Sequence, residues 1–266
     1  MRPEHAPRGI GCPADSKRGA ASLRQPCPGT LAAPARRPDE AAPASAALAP
    51  RKLAAVILAS GFSRRMEANK LLLDYGGRPL IARVMDAAAA AKFWRVTVVT
   101  AYDEIMEMAR QRGMDVIKND RPEVGQSRSV VLGTRANGKA DGIMYIPGDM
   151  PFLTGETLEA LKAAFAAAPE RIIRPVYGGA QEVYGGAPLP PGGKPGSPVI
   201  FPRALFEELC ALEGDRGGRE VIAAYPELVR FIPVAERQAG VDIDTPEDAR
   251  RWLDIEKLPD DGWKSI

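Results

Sequence analysis

The stretch L-A-A-V-I-L-A-S-G, residues 53–61, decides how the rest of the chain is interpreted. Its first six residues are continuously apolar, which is typical of a short strand buried on both faces of a parallel sheet. Ser60 and Gly61 then allow a sharp turn that directs backbone N–H groups at a ligand. The stretch therefore predicts a buried strand that ends at an anion-binding turn.

Three cations follow this turn within ten residues: Arg64, Arg65 and Lys70. Arginine binds phosphate oxygens with two parallel hydrogen bonds, and lysine adds a mobile point charge. Neither the Walker pattern nor the G-x-G-x-x-G dinucleotide pattern is present in this loop. The loop predicts a phosphate site of another kind, and the alternative is a solvated basic loop.

The composition excludes several kinds of site and partner. The formal net charge is +2, which is too small to indicate a nucleic-acid or membrane-surface partner. Three scattered cysteines support neither a disulfide framework nor a metal knuckle. The only histidine is His5, so carboxylate–metal and cationic phosphate chemistry remain rather than a histidine base or zinc site. No apolar run approaches the roughly 20 residues of a membrane span, and we expect a cytoplasmic protein.

Residues 1–50 differ from the rest of the chain. They contain nine prolines and thirteen alanines without a hydrophobic period, and they lack the unbroken apolar stretch of a secretory signal. We expect a disordered extension or the product of an upstream start codon; an Arg-rich transit peptide is the alternative. The predicted domain covers residues 51–257, and residues 258–266 form a tail.

From residue 53 onward, strand patterns alternate with helix patterns. The predicted strands are 53–58, 96–100, 115–117, 142–146, 171–177, 199–201 and 229–234. The predicted helices are 79–91, 103–112, 127–135, 154–167, 202–212 and 246–255. This alternation predicts an α/β fold with a doubly wound, mostly parallel sheet, whose ligands bind at the carboxyl ends of the strands.

The segment Y-I-P-G-D-M-P, residues 145–151, places Asp149 at the carboxyl end of a buried strand. Prolines on both sides restrict the backbone around it. Magnesium in such sites takes one or two carboxylates together with phosphate oxygens of the substrate. We expect Asp149 to bind Mg²⁺; the alternative is a turn residue that caps the next helix, a role that Thr154 already supplies.

The segment D-I-D-T-P-E-D, residues 242–248, contains two further candidate ligands. In an extended segment, Asp242 and Asp244 point to the same side. The residues from Thr245 onward also form a good helix start, which is the competing interpretation. We expect Asp244 to join Asp149 at the metal and leave the role of Asp242 open.

Three other segments give weaker signals. Asn119, Ser127 and Ser129 suit recognition of a base and ribose hydroxyls, or routine capping. Residues 214–219 either reach an acidic acceptor or form a simple turn. Residues 178–196 are rich in glycine and proline and are predicted to form a long mobile loop.

Taken in order, six motifs resemble those of the MobA-like nucleotidyltransferases, most closely the molybdenum cofactor cytidylyltransferase branch. They are L-A-S-G-F-S-R-R-M-x-x-x-K-L-L-L, G-Q-S-x-S-V, P-G-D-M-P-F-L, G-S-P-V-I-F, G-D-R-G-G-R and D-I-D-T-P-E-D, between residues 58 and 248. The resemblance implies a Rossmann-like fold of the nucleotide-diphospho-sugar transferase type and a requirement for Mg²⁺. It also implies transfer of a nucleoside monophosphate to a phosphate group, with release of pyrophosphate.

Residue roles follow from the matching positions. Arg65 and Lys70 would hold the triphosphate and act with Asp149 in catalysis, while Asp149 and Asp244 would bind Mg²⁺. The nucleotide-binding positions are Leu58, Ala59, Ser60, Gly61, Arg65, Lys70, Asn119, Ser127 and Ser129.

Two positions depart from the common pattern of the family. Ser60 replaces an alanine or glycine near the expected base, and Glu67 replaces a glycine near the phosphates. The other motifs favour CTP as the nucleotide and molybdopterin as the phosphate acceptor. The alternatives are GTP, a sugar-phosphate or alcohol-phosphate acceptor, and a non-catalytic chaperone that delivers the cofactor to a molybdenum hydroxylase.

Overall fold

The computed structural model describes residues 51–61, 69–178 and 193–253, together with the backbone of residues 183–184 and 187–188. The predicted extension, residues 1–50, and the predicted tail, residues 258–266, lie outside the described residues. Arg64, Arg65 and Glu67 lie outside them as well.

The described part of the chain alternates between strands and helices. The strands are β1 (Leu53–Ala59), β2 (Arg95–Thr100), β3 (Asp115–Lys118), β4 (Gly142–Pro147), β5 (Ile172–Tyr177), β6 (Val183–Tyr184), β7 (Ala187–Pro188), β8 (Lys194–Pro195), β9 (Val199–Pro202) and β10 (Val229–Val234). The helices are α1 (Leu80–Ala90), α2 (Asp103–Gln111), α3 (Gln126–Ala136), α4 (Gly155–Ala167), α5 (Phe206–Cys210), α6 (Gly218–Ala224) and α7 (Pro246–Leu253). Short 3-10 turns cover Lys70–Leu72, Pro122–Val124, Arg203–Leu205, Pro226–Leu228 and Arg237–Gly240. None of the described helices combines the length and the apolar character needed to cross a membrane.

The main sheet has the strand order β10-β5-β9-β4-β1-β2-β3, with β8 paired to the side of β5. The pairs β1–β2, β1–β4, β2–β3 and β5–β10 are parallel. β9 runs antiparallel to β4 and β5. The predicted doubly wound, mostly parallel sheet is therefore confirmed. Leu58 of β1 is paired with Pro147 of β4, so these two strands end at the same level.

The sequence of β1 is apolar throughout because both of its faces are covered. Ala55 and Ile57 lie in one core with residues of α1, α2 and α4. Ala54 and Val56 point to the opposite face and pack with residues of α3, α5 and α6. Successive side chains of a strand point to opposite faces, so a strand between two helical layers needs apolar residues at every position.

The predicted helix at 202–212 is shorter in the structure. Pro202 remains in β9, where it is paired with Gly142, and a 3-10 turn precedes α5. Arg203 explains the delay, because its backbone N–H donates to the carbonyl of Asp141 at 3.0 Å and its Nε donates to the carbonyl of Ala140 at 2.9 Å. These bonds tie the segment to the start of β4 and outweigh its local preference for helix.

Three strands and one helix were not predicted from the sequence. The segment 178–196 contains β8 and the separate β6–β7 hairpin, where only a loop was expected. Helix α6 begins at Gly218, directly after Gly217, and has no side-chain cap, so it lacks a strong start signal. Val221 and Ile222 are buried in the core of that face, and this burial stabilises the helix.

The packing of α3 on β1 leads to a stability prediction. A carbon added at Gly133 would lie 2.6 Å from a methyl of Val56, so the helix lies very close to the strand. Gly133→Ala gains about 1 kcal/mol of helix propensity but overpacks the core by about 1–3 kcal/mol. We expect a net loss of about 1 kcal/mol in the free energy of unfolding, measured by urea denaturation. Gly138→Ala is the control, because its added carbon meets no atom closer than 3.6 Å. Equal stability of Gly133→Ala and the wild type would contradict the close contact.

Candidate active site

The carboxyl ends of β1 and β4 bring the glycine turn and the predicted metal ligand together. The N–H of Gly148 donates to the carbonyl of Leu58 at 3.0 Å, which joins the chain after β4 to the end of β1. A carbon added at Gly148 would lie 3.0 Å from that carbonyl oxygen and 2.7 Å from Ile81. Only a glycine fits this approach, and it places Asp149 beside the turn at Ser60.

The centre of the site is an ammonium group between two carboxylates. Nζ of Lys70 lies 2.6 Å from Oδ2 of Asp149 and 2.6 Å from Oδ1 of Asp244. Asn69 fixes the turn that carries the lysine, since its side chain accepts a hydrogen bond from the N–H of Leu71 at 3.1 Å. Three of the four charged residues predicted to act on the triphosphate and the metal are therefore joined through the lysine.

Burial and the neighbouring negative charges shift the pKa of Lys70 in opposite directions. Burial alone would lower the pKa of Lys70, but the charges and hydrogen bonds of Asp149 and Asp244 outweigh it and raise the pKa above its usual value. The side chains of Lys70 and Asp149 expose 12% and 18% of their surface, whereas that of Asp244 exposes 53%. The ammonium group thus stays protonated at neutral pH, and Asp244 is open to a ligand from solvent.

Asp248 holds Asp244 in place. Its Oδ2 accepts hydrogen bonds from the N–H of Asp244 at 3.2 Å, the N–H of Thr245 at 2.9 Å and the hydroxyl of Thr245 at 2.8 Å. The N–H of Ile243 donates to the carbonyl of Asp149 at 3.1 Å, so the two acidic segments are joined through their backbones. The helix start that was the alternative to a metal site is formed by Thr245 and Asp248. It does not use the carboxylate of Asp244, which contacts Lys70 instead.

Asp242 lies close to the negative charges of Asp149 and Asp244. Crowding of its carboxyl by neighbouring atoms, together with repulsion from Asp149 and Asp244, raises the pKa of Asp242 to about 7. The residue as a whole is exposed, and no hydrogen bond between it and Lys70 is formed among the described residues. A carboxyl with this pKa is only partly ionised near neutral pH, and it is Asp244 that makes the contact with Lys70.

The donor set fits a magnesium ion. Oδ1 of Asp149 is buried and has no hydrogen-bond partner among the described residues, which leaves one carboxylate oxygen for a ligand. Within the described part of the chain, no group of three or more His, Cys, Asp or Glu side chains is arranged to hold a metal. Two carboxylates completed by phosphate oxygens are what Mg²⁺ uses in such sites.

Asp149 is not used as a helix cap, which was the other interpretation of this residue. The hydroxyl of Thr154 accepts a hydrogen bond from the N–H of Thr157 at 3.2 Å and caps α4, as predicted. The carboxylate of Asp149 is bonded to Lys70 instead.

A cavity of about 500 Å³ opens over these residues. Seven of the residues predicted from the sequence line it: Leu58, Ser60, Gly61, Lys70, Ser129, Asp149 and Asp244. The structure therefore brings the glycine turn, the lysine, the acidic pair and one serine of the 125–129 segment to a common wall. The predicted role of Arg65 stays a prediction, because this residue lies outside the described ones.

Three predicted nucleotide-binding residues are not part of the cavity wall. Ala59 and Ser127 are buried below it. Asn119 is also buried: its amide nitrogen donates to the hydroxyl of Ser129 at 3.1 Å, and its oxygen accepts from the N–H of Arg121 at 3.2 Å. Asn119 thus positions Ser129, and a direct contact of these three residues with a nucleotide stays a prediction.

Sequence reasoning missed the contribution of the 214–219 segment to this wall. Gly125 has a φ of +105°, and a carbon added there would lie 2.6 Å from the carbonyl oxygen of Gly214 and 2.6 Å from Oδ1 of Asp215. The N–H of Ser127 donates to the carbonyl of Gly214 at 3.2 Å. Asp215 reaches the cavity as a result. The signal in the sequence was the pair of glycine motifs, since two backbones that touch both need glycine.

Comparison with known proteins relates this geometry to a reaction class. The chain is 32% identical over 124 residues to the bifunctional protein GlmU of Jannaschia sp. (strain CCS1), a match that covers 44% of this chain and 27% of that protein. It is 30% identical over 107 residues to the 3-deoxy-manno-octulosonate cytidylyltransferase of Francisella philomiragia, over 40% of this chain and 43% of that protein. The chain thus spans less than half the length of these relatives.

Solved structures show the same fold. Rv0371c from Mycobacterium tuberculosis H37Rv is similar with a TM-score of 0.60 and 25% identity, over 77% of this chain and 98% of that chain. Rv0371c has also been solved in complex with manganese. The fold shared with such neighbours is of the nucleotide-diphospho-sugar transferase type, as the sequence predicted.

The model of one protein family matches residues 55–229, which include both strand ends, Lys70, Asp149 and the 214–219 segment. This family and the cytidylyltransferase of Francisella philomiragia agree on one reaction class, nucleotidyl transfer. The chain belongs to the family of MobA-like NTP transferase domains.

Proposed function

We propose that this protein is a nucleotidyltransferase that moves CMP from CTP to the phosphate group of a molybdopterin-type cofactor, with Mg²⁺, and releases pyrophosphate. The proposal is carried by one observation: the carboxylates of Asp149 and Asp244 both contact the ammonium group of Lys70. These residues line a cavity that the glycine turn also lines. A phosphate-binding turn beside an acidic metal site is the arrangement that nucleotidyl transfer from a triphosphate requires.

The reaction forms one P–O bond and breaks another. An oxygen of the acceptor phosphate attacks the α-phosphorus of the nucleotide, and the bond to the oxygen that bridges to the β-phosphate breaks. Pyrophosphate leaves with the electrons of that bond. Such transfers are catalysed by positioning and charge neutralisation, so the protein needs no covalent nucleophile. This requirement agrees with a chain whose only histidine is His5.

The described residues supply the charge and the position. The protonated Lys70 is placed to bind phosphate oxygens, and Arg65 would add a second cation. Asp149 and Asp244 would hold Mg²⁺, which when bound neutralises the charge of the phosphates. Oδ1 of Asp149 supports this role, because it is buried and lacks a partner among the described residues.

The choice of CTP is supported by two observations. The motifs resemble the cytidylyltransferase branch of the family, and one relative is a cytidylyltransferase by name. Ser60, which departs from the family pattern, donates its hydroxyl hydrogen to the carbonyl of Val99 at 3.1 Å. That hydrogen is therefore used inside the protein, and the remaining lone pair can accept from the amino group of cytosine or of guanine, so Ser60 does not decide between the two bases. GTP remains the alternative nucleotide.

The relatives favour one second candidate, a sugar-derived acceptor. The 3-deoxy-manno-octulosonate cytidylyltransferase acts on such a molecule by its name, and the transfer chemistry at Lys70, Asp149 and Asp244 would be the same. A chaperone that only binds and delivers the cofactor would not need the charges of Lys70, Asp149 and Asp244 in one place.

Release of pyrophosphate separates these functions. The full chain is incubated with Mg²⁺, one of the four triphosphates and either molybdopterin cofactor or a panel of sugar phosphates and sugar acids that includes 3-deoxy-manno-octulosonate. We expect release with CTP and the cofactor. Pyrophosphate release only with the sugar substrates would show that the acceptor is a sugar derivative and not molybdopterin. Tight binding of the cofactor without pyrophosphate release from any triphosphate would favour the chaperone.

Asp149 is the residue to test first. Asp149→Asn keeps the size of the side chain but removes the negative charge that would hold Mg²⁺, so we expect kcat to fall by about 100-fold or more. Circular dichroism and thermal unfolding report whether the fold is kept. Asp115→Asn is the control, because Asp115 forms an exposed ion pair with Arg95 at the far side of β2. Activity of Asp149→Asn within a few-fold of the wild type would rule out the assigned role.

The contact between Gly125 and the 214–215 turn leads to a binding prediction. Gly125→Ala combines an unfavourable φ of +105° with a clash at 2.6 Å against Gly214, so the turn must move away from the cavity wall. We expect the KM for the triphosphate to rise by about tenfold in steady-state assays, a loss of about 1.4 kcal/mol. Gly138→Ala should leave this KM unchanged. A normal KM in Gly125→Ala would show that the turn does not shape the nucleotide site.

A further inference from the structure

The glycine turn is tied to its neighbour in the sheet by side chains from the end of β2. Ala59 is paired with Thr100, and the hydroxyl of Thr100 donates to the carbonyl of Ala59 at 2.8 Å. Two residues further along both segments, the hydroxyl of Tyr102 donates to the carbonyl of Gly61 at 3.0 Å. The end of β1 and the glycine after it are therefore both held from the same side.

A third bond runs in the opposite direction. The hydroxyl of Ser60 donates to the carbonyl of Val99 at 3.1 Å. The N–H of Tyr102 donates to the hydroxyl oxygen of Thr100 at 3.1 Å, so Tyr102 joins this network through its backbone as well. Each residue of the turn region is thus bonded to this end of β2, and we call Val99, Thr100 and Tyr102 the β2 clamp.

Tyr102 is the part of the β2 clamp that reaches the glycine. It directly precedes α2, and its ring packs against the apolar core on that face of the sheet. Burial raises the pKa of Tyr102 above its usual value, so its hydroxyl stays protonated at neutral pH and remains a hydrogen-bond donor. A packed ring thus presents a fixed donor to the carbonyl of Gly61.

Packing does not hold Gly61 in its conformation. The residue is exposed, and a carbon added to it would meet no atom within 4 Å. Glycine also has a wide choice of backbone conformations. The hydrogen bond from Tyr102 is therefore the contact that restrains this peptide group.

The direction of the Gly61 carbonyl matters to an anion in the cavity. Gly61 lines the cavity of about 500 Å³, whereas Tyr102 is not part of its wall. The carbonyl oxygen is thus bonded to a group outside the wall. Backbone N–H groups of a turn attract an anion, whereas a carbonyl oxygen carries partial negative charge and would repel phosphate oxygens.

We propose that Tyr102 is a positioning residue for the triphosphate: its hydrogen bond to Gly61 keeps the carbonyl of the glycine turn away from the phosphates. Tyr102 acts through the turn and does not touch the nucleotide. The inference rests on the proposed function, because it requires a triphosphate at the turn. Its effect is confined to the nucleotide, since the acceptor does not depend on the direction of this carbonyl.

Tyr102→Phe tests the inference, because phenylalanine removes the hydroxyl and keeps the ring in the core. The matched control is Tyr225→Phe. The hydroxyl of Tyr225 donates to a carboxylate oxygen of Glu208 at 3.1 Å, after the end of α6 and away from the cavity wall. Each variant loses one hydrogen bond of a partly buried tyrosine, and thermal unfolding measures the loss of stability in both.

Two kinds of measurement are made on the full chain. Calorimetry gives the Kd for CTP with Mg²⁺, and for GTP with Mg²⁺ in a parallel series. Pyrophosphate release gives separate KM values for the triphosphate and for molybdopterin. We expect the Kd and the KM of the triphosphate to rise about fivefold in Tyr102→Phe, the effect of one hydrogen bond. The KM for molybdopterin should stay within twofold, and Tyr225→Phe should change none of these constants.

The outcomes distinguish this inference from the proposed function. Unchanged binding of both triphosphates by Tyr102→Phe would overturn the inference even where the wild type releases pyrophosphate. Equal weakening in Tyr102→Phe and Tyr225→Phe would overturn it too, because it would reflect a general loss of stability. A wild type that binds neither triphosphate has the same consequence. Weaker triphosphate binding in Tyr102→Phe alone, with no pyrophosphate release by the wild type, would support the inference and contradict the proposed function.

Discussion

The contact of one ammonium group with two carboxylates is the constraint on which the site depends. Lys70 is separated from Asp149 by 79 residues and from Asp244 by 174, yet its Nζ lies 2.6 Å from both. Without the lysine, the two carboxylates would repel each other at the end of β4. The contact therefore joins three segments of the chain: the turn after β1, the end of β4 and the segment before α7.

The fold makes that contact possible through backbone bonds rather than through the charges themselves. The N–H of Gly148 bonds to the end of β1, and the N–H of Ile243 bonds to the carbonyl of Asp149. Ion pairs that are partly open to solvent add little to stability, and their charge is costly to bury. The sheet thus places the three groups, and their charges remain available for phosphate and metal.

How far the sequence predicts this structure depends on the kind of signal. The strand and helix alternation is confirmed, and the turn at Ser60 lies beside Asp149 because the ends of the adjacent parallel strands β1 and β4 share one edge of the sheet. Asn119 and Ser127 show the limit, since amides and hydroxyls serve equally well inside the protein. The antiparallel position of β9 beside β5 had no signal, because local patterns do not reveal which strands are neighbours in the sheet.

The arrangement of two adjoining cavities bears on the side from which the acceptor can attack the α-phosphorus. In-line transfer requires the attacking oxygen and the departing pyrophosphate to lie on opposite sides of the α-phosphorus. The first cavity contains the glycine turn and Lys70, and a second cavity, of about 380 Å³, meets it at Pro147 beside Asp149. If the triphosphate binds at the glycine turn and Lys70, the attacking oxygen has to reach the α-phosphorus at the end of β4 from the side opposite the departing pyrophosphate.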